Sequence, residues 1–152
     1  MAKVREGIEY ICGAELPYAL SWRYAEERAV GKTDTDVEYL KRYTMYEDHF
    51  NRADSKCKKW FWEIMHEMTE EDRQLYLRFV NGQSKLPSDL NNLAYKHALR
   101  GKGGSGDASL PEAHTCYNQL DCPEYSSKEI MRMRITTAIR WCGEVDNDGS
   151  PE

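Results

Sequence analysis

The sequence predicts an α+β domain in which helices pack against a small, mostly antiparallel β-sheet. Two observations predict this fold class. Residues 37–87 carry three segments with apolar residues at helical spacing and with helix-capping residues at their starts. Residues 93–99 and 110–120 are short and bounded by loop signals, as strands are. With 152 residues, the chain is long enough for one domain with its own core, so a single compact unit is expected.

Composition narrows the class of protein. Charged residues make up 31% of the chain and apolar residues 40%, which suits a soluble globular domain. The formal net charge of -5 argues against a general nucleic-acid binder. No apolar run approaches the roughly 20 residues of a membrane-spanning helix, and the first residues lack the apolar core of a secretory signal. We therefore expect no nucleic-acid partner and no membrane partner.

Cysteine usage indicates the redox environment. The chain has five cysteines, an odd number, and no C-x-x-C pair: Cys12, Cys57, Cys116, Cys122 and Cys142. This pattern favours reduced thiols in the cytoplasm or nucleus over a disulfide framework or a zinc site. No metal and no cofactor are expected.

The elements of the first half are helical. Apolar residues recur at helical spacing in residues 3–12, and Gly13 is placed to end that helix. The stretch 14–36 is expected to be partly helical around residues 19–29. Thr35 or Asp36 could cap a helix over Val37–Tyr46.

Two further helices follow. Ser55 is placed to cap a helix whose buried stripe comprises Cys57, Phe61, Ile64, Met65 and Met68. Thr69 and Asp72 form a variant capping box that opens a helix over Glu70–Val80, which Asn81 and Gly82 end.

The second half reads as strands followed by one helix. Leu93–Leu99 and Leu110–Leu120 are the predicted strands, and the glycine-rich Gly101–Ser109 between them is a mobile loop without the order of a phosphate-binding motif. Ser126 and Glu129 form a capping box for the last helix. Its predicted apolar face is Ile130, Met133, Ala138 and Trp141, with Gly143 as the end and residues 144–152 as a flexible acidic tail.

Cys116 is the first candidate for chemistry. It lies in the segment Leu110–Glu129, with His114, Thr115 and Asn118 as polar neighbours. Sulfur becomes a nucleophile as the thiolate, which needs water and polar groups rather than an apolar core.

This segment resembles the active-site region of the HECT ubiquitin ligases, whose pattern is close to LP-x-x-HTCFN-x-L-x-LPEYSS-x-E. The matching residues here are Leu110, Pro111, His114, Thr115, Cys116, Tyr117, Asn118, Leu120, Cys122, Pro123, Glu124, Tyr125, Ser126, Ser127 and Glu129. Lys58–Pro87 is similar to the paired helices and turn that precede this region in the family. The resemblance implies a fold like the HECT C-terminal lobe over residues 37–143, preceded by the end of the N-terminal lobe and hinge at 1–13 and an inserted segment at 14–36.

The resemblance also implies a function. Cys116 would accept ubiquitin as a thioester from a ubiquitin-conjugating enzyme and pass it to a lysine of a protein substrate. The conjugating enzyme is recruited by the N-terminal lobe, of which the resemblance covers only the last helix. The chain alone is therefore expected to accept ubiquitin poorly.

Four residues are candidates for supporting roles. In an extended strand, His114 and Cys116 would share one face with α-carbons about 6 to 7 Å apart, too far for a direct dyad. His114 would then shape the local field or position the thioester, or else be a strand histidine satisfied by a backbone group. Thr115 would fix the loop, and Asn118 would donate a hydrogen bond to the thioester carbonyl. Asp121 is the nearest acid after Cys116 that could take the proton of the attacking lysine, with Asp146 and Asp148 as rivals.

Two alternatives stay open at this point. The chain could be a ubiquitin-binding or scaffolding domain that keeps the fold without transfer. It could also be a cysteine hydrolase, which would need a histidine next to Cys116; His49, His66 and His97 all fall in other predicted segments.

Overall fold

A computed structural model describes residue 10 and residues 34–87, 90, 94–103 and 106–145 of the protein. Apart from residue 10, the predicted helix over 3–12 lies outside the described residues. So do residues 14–33 of the predicted inserted segment and the predicted tail from residue 146 onward.

The described residues form four α-helices and four strands. The helices are α1 (Val37–Arg42), α2 (Lys56–Glu67), α3 (Glu70–Asn81) and α4 (Lys128–Val145). The strands are β1 (Met45–Tyr46), β2 (Ala98–Lys102), β3 (Glu112–His114) and β4 (Gln119–Pro123). Short 3-10 turns occur at Asp48–Asn51, Gly106–Ala108 and Thr115–Tyr117. The α+β class is therefore confirmed.

The sheet is mixed and mostly parallel, so the prediction of a mostly antiparallel sheet was wrong. Its strand order is β1-β2-β4-β3. β1 pairs with β2 and β2 with β4 in parallel, whereas β3 and β4 are antiparallel. For β1 and β2 the reason is the connectivity, because α2 and α3 lie between them in the chain and form the kind of crossover that parallel neighbours need. Strands β2 and β4 are parallel because β3 lies between them in the chain and runs in the opposite direction.

The predicted caps of the first three helices are confirmed. Backbone N–H groups donate to the cap side chains: Tyr39 to Asp36 at 2.9 Å, Lys58 to Ser55 at 3.1 Å and Asp72 to Thr69 at 3.2 Å. Helix α3 ends at Gly82, whose φ of 77° lies in the left-handed region that favours glycine. Four residues of the predicted α2 stripe are buried, namely Cys57, Phe61, Ile64 and Met65, and Met68 is partly buried against them.

Three predicted boundaries were wrong because of tertiary pairing. Within the described residues 94–103, the strand predicted over 93–99 is β2 at Ala98–Lys102, which includes the first two residues of the predicted glycine-rich loop and pairs with β4. Helix α1 ends at Arg42 rather than Tyr46, and the Thr44 hydroxyl donates back to the Leu40 carbonyl at 2.8 Å. Met45 and Tyr46 leave the helix to pair with β2. The predicted strand over residues 110–120 is two strands, β3 and the start of β4, separated by the turn at Thr115–Tyr117.

The last helix also differs from its prediction. Ser127 caps α4, accepting from the Ile130 N–H at 3.3 Å, while the Ser126 hydroxyl donates to Asp107 at 2.7 Å. The helix continues past Gly143 to Val145. Its buried face comprises Met131, Ile135, Ala138 and Ile139, whereas Met133 and Trp141 are exposed.

The core lies between one face of the sheet and helices α2, α3 and α4. Leu99 of β2 and Leu120 and Cys122 of β4 are buried in it. Because side chains alternate along a strand, Arg100 and Asp121 lie on the opposite, more open face. Among the described helices, none is long and apolar enough to cross a membrane.

Candidate functional site

Cys116 lies in the one-turn 3-10 helix Thr115–Tyr117 that joins antiparallel β3 to β4. The turn ends at Asn118, which has φ 53° and ψ 44°, a left-handed conformation that asparagine tolerates better than most residues. The Asn118 N–H donates to the Thr115 carbonyl at 3.3 Å. His114 and Cys116 are therefore not on one face of an extended strand, and that expectation was wrong.

Exposure separates Cys116 from the other described cysteines. Cys116 is exposed, as expected for a loop or strand end, whereas Cys57 and Cys122 are buried. Burial raises the pKa of both buried thiols, with the Cys57 sulfur adding to the effect at Cys122. At neutral pH these two thiols stay protonated and are poor nucleophiles. Cys116 is thus the described cysteine that a large reaction partner can reach.

His114 and Asp121 face each other across the β3–β4 hairpin. The His114 Nε2 lies 3.2 Å from Asp121 Oδ2, and the Gln119 side chain donates to Asp121 Oδ1 at 2.5 Å. The Asp121 side chain is only 17% exposed, whereas that of His114 is 45% exposed. The His114 ring therefore has a carboxylate as its hydrogen-bond partner. The alternative prediction, a backbone partner, was wrong. The pair forms an acid–imidazole unit on the hairpin that carries Cys116.

Asn118 and Thr115 hold the turn. The Asn118 side-chain amide donates to the Tyr95 backbone carbonyl at 3.4 Å, and the Asn118 backbone carbonyl accepts from the Ala98 N–H at 3.0 Å. A side-chain amide carries two N–H bonds, so one remains for a ligand. Thr115 is exposed and closes the turn through its backbone carbonyl.

Two tyrosines beside this turn were not singled out by sequence reasoning. The rings of Tyr95 and Tyr117 meet edge to face, with centroids 5.4 Å apart and planes at 79°. They are 54% and 57% exposed, which is high for large aromatic side chains. We call them the aromatic pair. Tyr117 replaces the phenylalanine of the HECT pattern, a signal available in the sequence; Tyr95 is separated from it by 21 intervening residues, so only the fold reveals the contact.

The other three histidine rings form no hydrogen bond with Cys116 and so make no dyad with it. His66 lies 2.8 Å from Glu38, and His97 is buried between Thr44 and Tyr76. His49 is buried beside Gly101, and two clefts of about 320 and 750 Å³ share His49, Arg52 and Glu124 in their linings. Neither cleft is lined by a residue of the Cys116 turn. Within the described residues, no cluster of histidine, cysteine and acidic side chains could hold a metal ion.

Comparisons with known proteins extend the pattern seen around Cys116 to the whole chain. The model of the HECT-domain (ubiquitin-transferase) family matches residues 1–147. The chain is 32% identical over 133 residues to the probable E3 ubiquitin-protein ligase HERC4 of Mus musculus, covering 88% of this chain and 12% of the relative. It is 34% identical over 144 residues to the E3 ubiquitin-protein ligase UPL1 of Arabidopsis thaliana, covering 91% of this chain and 4% of the relative.

A third relative covers still more of the chain. The E3 ubiquitin-protein ligase HERC2 of Homo sapiens is 29% identical over 151 residues, which is 97% of this chain and 3% of the relative. The chain therefore spans a small part of the length of the ligases it matches. Since the family match extends over nearly the whole chain and includes the turn with the exposed cysteine, the chain belongs to the HECT-domain family of E3 ubiquitin ligases.

Proposed function

We propose that the chain accepts ubiquitin as a thioester on Cys116 and transfers it to a lysine of a protein substrate. The observation that carries the proposal is the exposed Cys116, presented on a tight turn by a hairpin whose core side is anchored by Leu120 and Cys122. Membership of the HECT family supports the reaction class.

The chemistry is two acyl transfers. In the first, the Cys116 thiolate attacks the thioester carbonyl at the ubiquitin C-terminus; a new C–S bond forms and the donor thiolate leaves. In the second, a lysine amine attacks that carbonyl, an amide bond forms and the Cys116 thiolate is released. The lysine ammonium must lose a proton before or during this attack, because it is mostly charged at neutral pH.

Asp121 is the proposed acceptor of that proton, with His114 hydrogen-bonded to it. The carboxylate is held from both sides, by His114 at 3.2 Å and Gln119 at 2.5 Å. A carboxylate with fixed orientation is suited to proton transfer on the hairpin that bears the sulfur. Asn118 is proposed to donate its remaining amide N–H to the thioester oxygen. The sequence rivals Asp146 and Asp148 lie outside the described residues.

Partners and compartment follow from the same chemistry. We propose ubiquitin, a ubiquitin-conjugating enzyme and protein substrates as partners, with delivery from the conjugating enzyme depending on an N-terminal lobe. An exposed nucleophilic thiol needs a reducing compartment such as the cytoplasm or nucleus, since oxidation would block it.

The test is formation of a covalent adduct with ubiquitin. The chain is incubated with ubiquitin carrying a small-thiol thioester at its C-terminus, which bypasses the conjugating enzyme. We expect an adduct that reducing agent removes, that Cys116→Ala abolishes and that Cys116→Ser converts to a reductant-resistant ester. Cys57→Ala is the matched control and should keep the adduct, because that thiol is buried.

The same experiment decides between the proposal and its rivals. Ubiquitin bound without any adduct would favour a scaffolding domain and overturn the proposal. Release of free ubiquitin that depends on Cys116 and is not slowed by removing amine acceptors would favour a hydrolase. The histidine positions argue against the hydrolase, because none of the four rings is hydrogen-bonded to Cys116.

A further inference from the structure

We infer that the aromatic pair, Tyr95 and Tyr117, binds the side-chain ammonium of the acceptor lysine next to Cys116. The inference rests on the proposed transfer function and names a binding element for the second substrate. The pair would act as a positioning and specificity element, separate from the Asp121–His114 unit that takes the proton.

The aromatic pair is held close to Cys116. Tyr117 directly follows Cys116 in the same 3-10 turn. Tyr95 belongs to a distant segment, yet it is fixed to this turn twice: through the ring contact and through the hydrogen bond from Asn118 to its carbonyl. The Ala98 N–H to Asn118 carbonyl bond extends the attachment into β2. These contacts hold both rings next to the turn that carries the sulfur.

The exposure of the aromatic pair favours binding of a cation. Both rings are more than half exposed, although burial of an aromatic ring is strongly favourable. In an edge-to-face pair at 79°, the edge of one ring covers part of one face of the other and leaves the remaining faces open. Open aromatic faces attract cations, because the ring quadrupole is negative above and below the plane. The chain makes such a contact elsewhere, where the Lys58 Nζ lies 4.1 Å from the centroid of the Tyr46 ring.

The chemistry of the acceptor lysine also fits an aromatic surface. A lysine approaches as an ammonium on a flexible four-carbon stem, so both an apolar ring surface for the stem and a π face for the charge would favour its binding. A cation on a ring is stabilised in its charged form. The pair would therefore raise the local concentration of lysine without removing its proton, which leaves deprotonation to the carboxylate on the hairpin.

The test measures discharge of the Cys116–ubiquitin thioester in single turnover, with the full chain loaded from the small-thiol thioester. Free lysine is titrated as the acceptor, and hydroxylamine, which is uncharged at neutral pH, is the matched nucleophile. Tyr95→Leu and Tyr117→Leu remove a ring, whereas Tyr95→Phe and Tyr117→Phe keep the π face and serve as controls.

We expect each leucine variant to raise the half-saturating lysine concentration about threefold and the double variant about tenfold, as the loss of exposed cation–π contacts predicts. Maximal discharge, discharge by hydroxylamine and both phenylalanine variants should be unchanged. Tetramethylammonium, a cation that cannot attack, should compete with lysine in the wild-type chain and not in the double leucine variant.

Three results would overturn the inference. Unchanged lysine dependence in the leucine variants would show that the pair does not bind the acceptor. An equal loss of thioester discharge by lysine and by hydroxylamine would show instead that the rings stabilise the turn or contact ubiquitin. Loss of thioester loading in the leucine variants would likewise assign them to the first transfer. If the wild-type chain forms no thioester at all, it is the proposed function that fails, and the two failures are distinguishable.

Discussion

His97 provides a prediction about the pH dependence of stability. It is buried at 3% exposure between helix α3 and the segment that follows helix α1. Its Nδ1 lies 2.8 Å from the Thr44 hydroxyl and its Nε2 lies 2.7 Å from the Tyr76 hydroxyl of α3. The Thr44 hydroxyl has one hydrogen, which it donates to the Leu40 carbonyl at 2.8 Å. Thr44 must therefore accept from His97, so Nδ1 carries the proton and Nε2 accepts from Tyr76.

This network keeps the imidazole neutral. A second proton on Nε2 would replace the hydrogen bond that this nitrogen accepts from Tyr76 in a site that is only 3% exposed. Burial therefore lowers the pKa of His97 from 6.5 to about 3. Because the folded pKa lies below the unfolded one, the unfolded chain binds a proton that the folded chain refuses. Above pH 6.5, His97 is neutral in both states and does not make stability depend on pH. As the pH drops from 6.5 toward 3, the free energy of unfolding falls.

The size of the effect follows from linkage. At pH 5, His97 is mostly protonated in the unfolded chain and neutral in the folded chain. Since pH 5 lies about 1.5 units below the unfolded pKa and each unit is worth about 1.36 kcal/mol, the free energy of unfolding should fall by about 2 kcal/mol. The assay is urea unfolding of the wild-type chain and His97→Gln at pH 7 and pH 5. The wild type should lose about 2 kcal/mol more than the variant between these pH values. His49, also buried with a lowered pKa, contributes equally to both and cancels.

Two results would refute this reasoning. One is the same pH dependence of the free energy of unfolding in the wild type and the variant. The other, which needs no variant, is a nuclear magnetic resonance titration of the folded chain in which the His97 ring nitrogens change protonation near pH 6.5. The expected spectrum keeps the Nδ1–H tautomer down to pH 4.

Two further predictions concern packing and catalysis. Gly101→Ala should lower the free energy of unfolding, measured by thermal unfolding, by about 1–3 kcal/mol, because the added methyl group would lie 2.7 Å from atoms of Asp48 and His49. Gly103→Ala is the control and should be close to neutral, since its methyl group would enter open space. Equal losses of stability in the two variants would contradict this prediction. Asp121→Asn should slow discharge of the thioester to lysine on the order of 100-fold while leaving thioester formation intact. Unchanged lysine discharge would remove Asp121 as the proton acceptor.

Local signals predicted the helices of this domain well. Ser55 and Thr69 cap their helices as the sequence indicates, because an N-cap bond is made within four residues and needs no distant partner. The exposed position of Cys116 was also predictable, since its neighbours are polar and a glycine-rich stretch precedes them.

Long-range contacts limited the rest of the prediction. Met45 and Tyr46 continue the apolar pattern of α1, and only the presence of β2 makes them a strand. The parallel order of the sheet depends on where the helices cross over, which periodicity alone does not reveal. Contacts such as Tyr95 with Tyr117 join segments that are far apart in sequence and carry no local signal.

The alternation of side chains along β4 links the core of the domain to its candidate site. Leu120 and Cys122 point into the core and are fully buried, so their burial anchors the strand that begins directly after the Cys116 turn. The same period of two places Gln119 and Asp121 on the other face, where they meet His114 of the paired strand. A shift of one residue in the pairing would bury the carboxylate and expose the apolar pair. Burial of Leu120 and Cys122 therefore fixes the register between β3 and β4, and with it the orientation of Asp121, the proposed proton acceptor, on the hairpin.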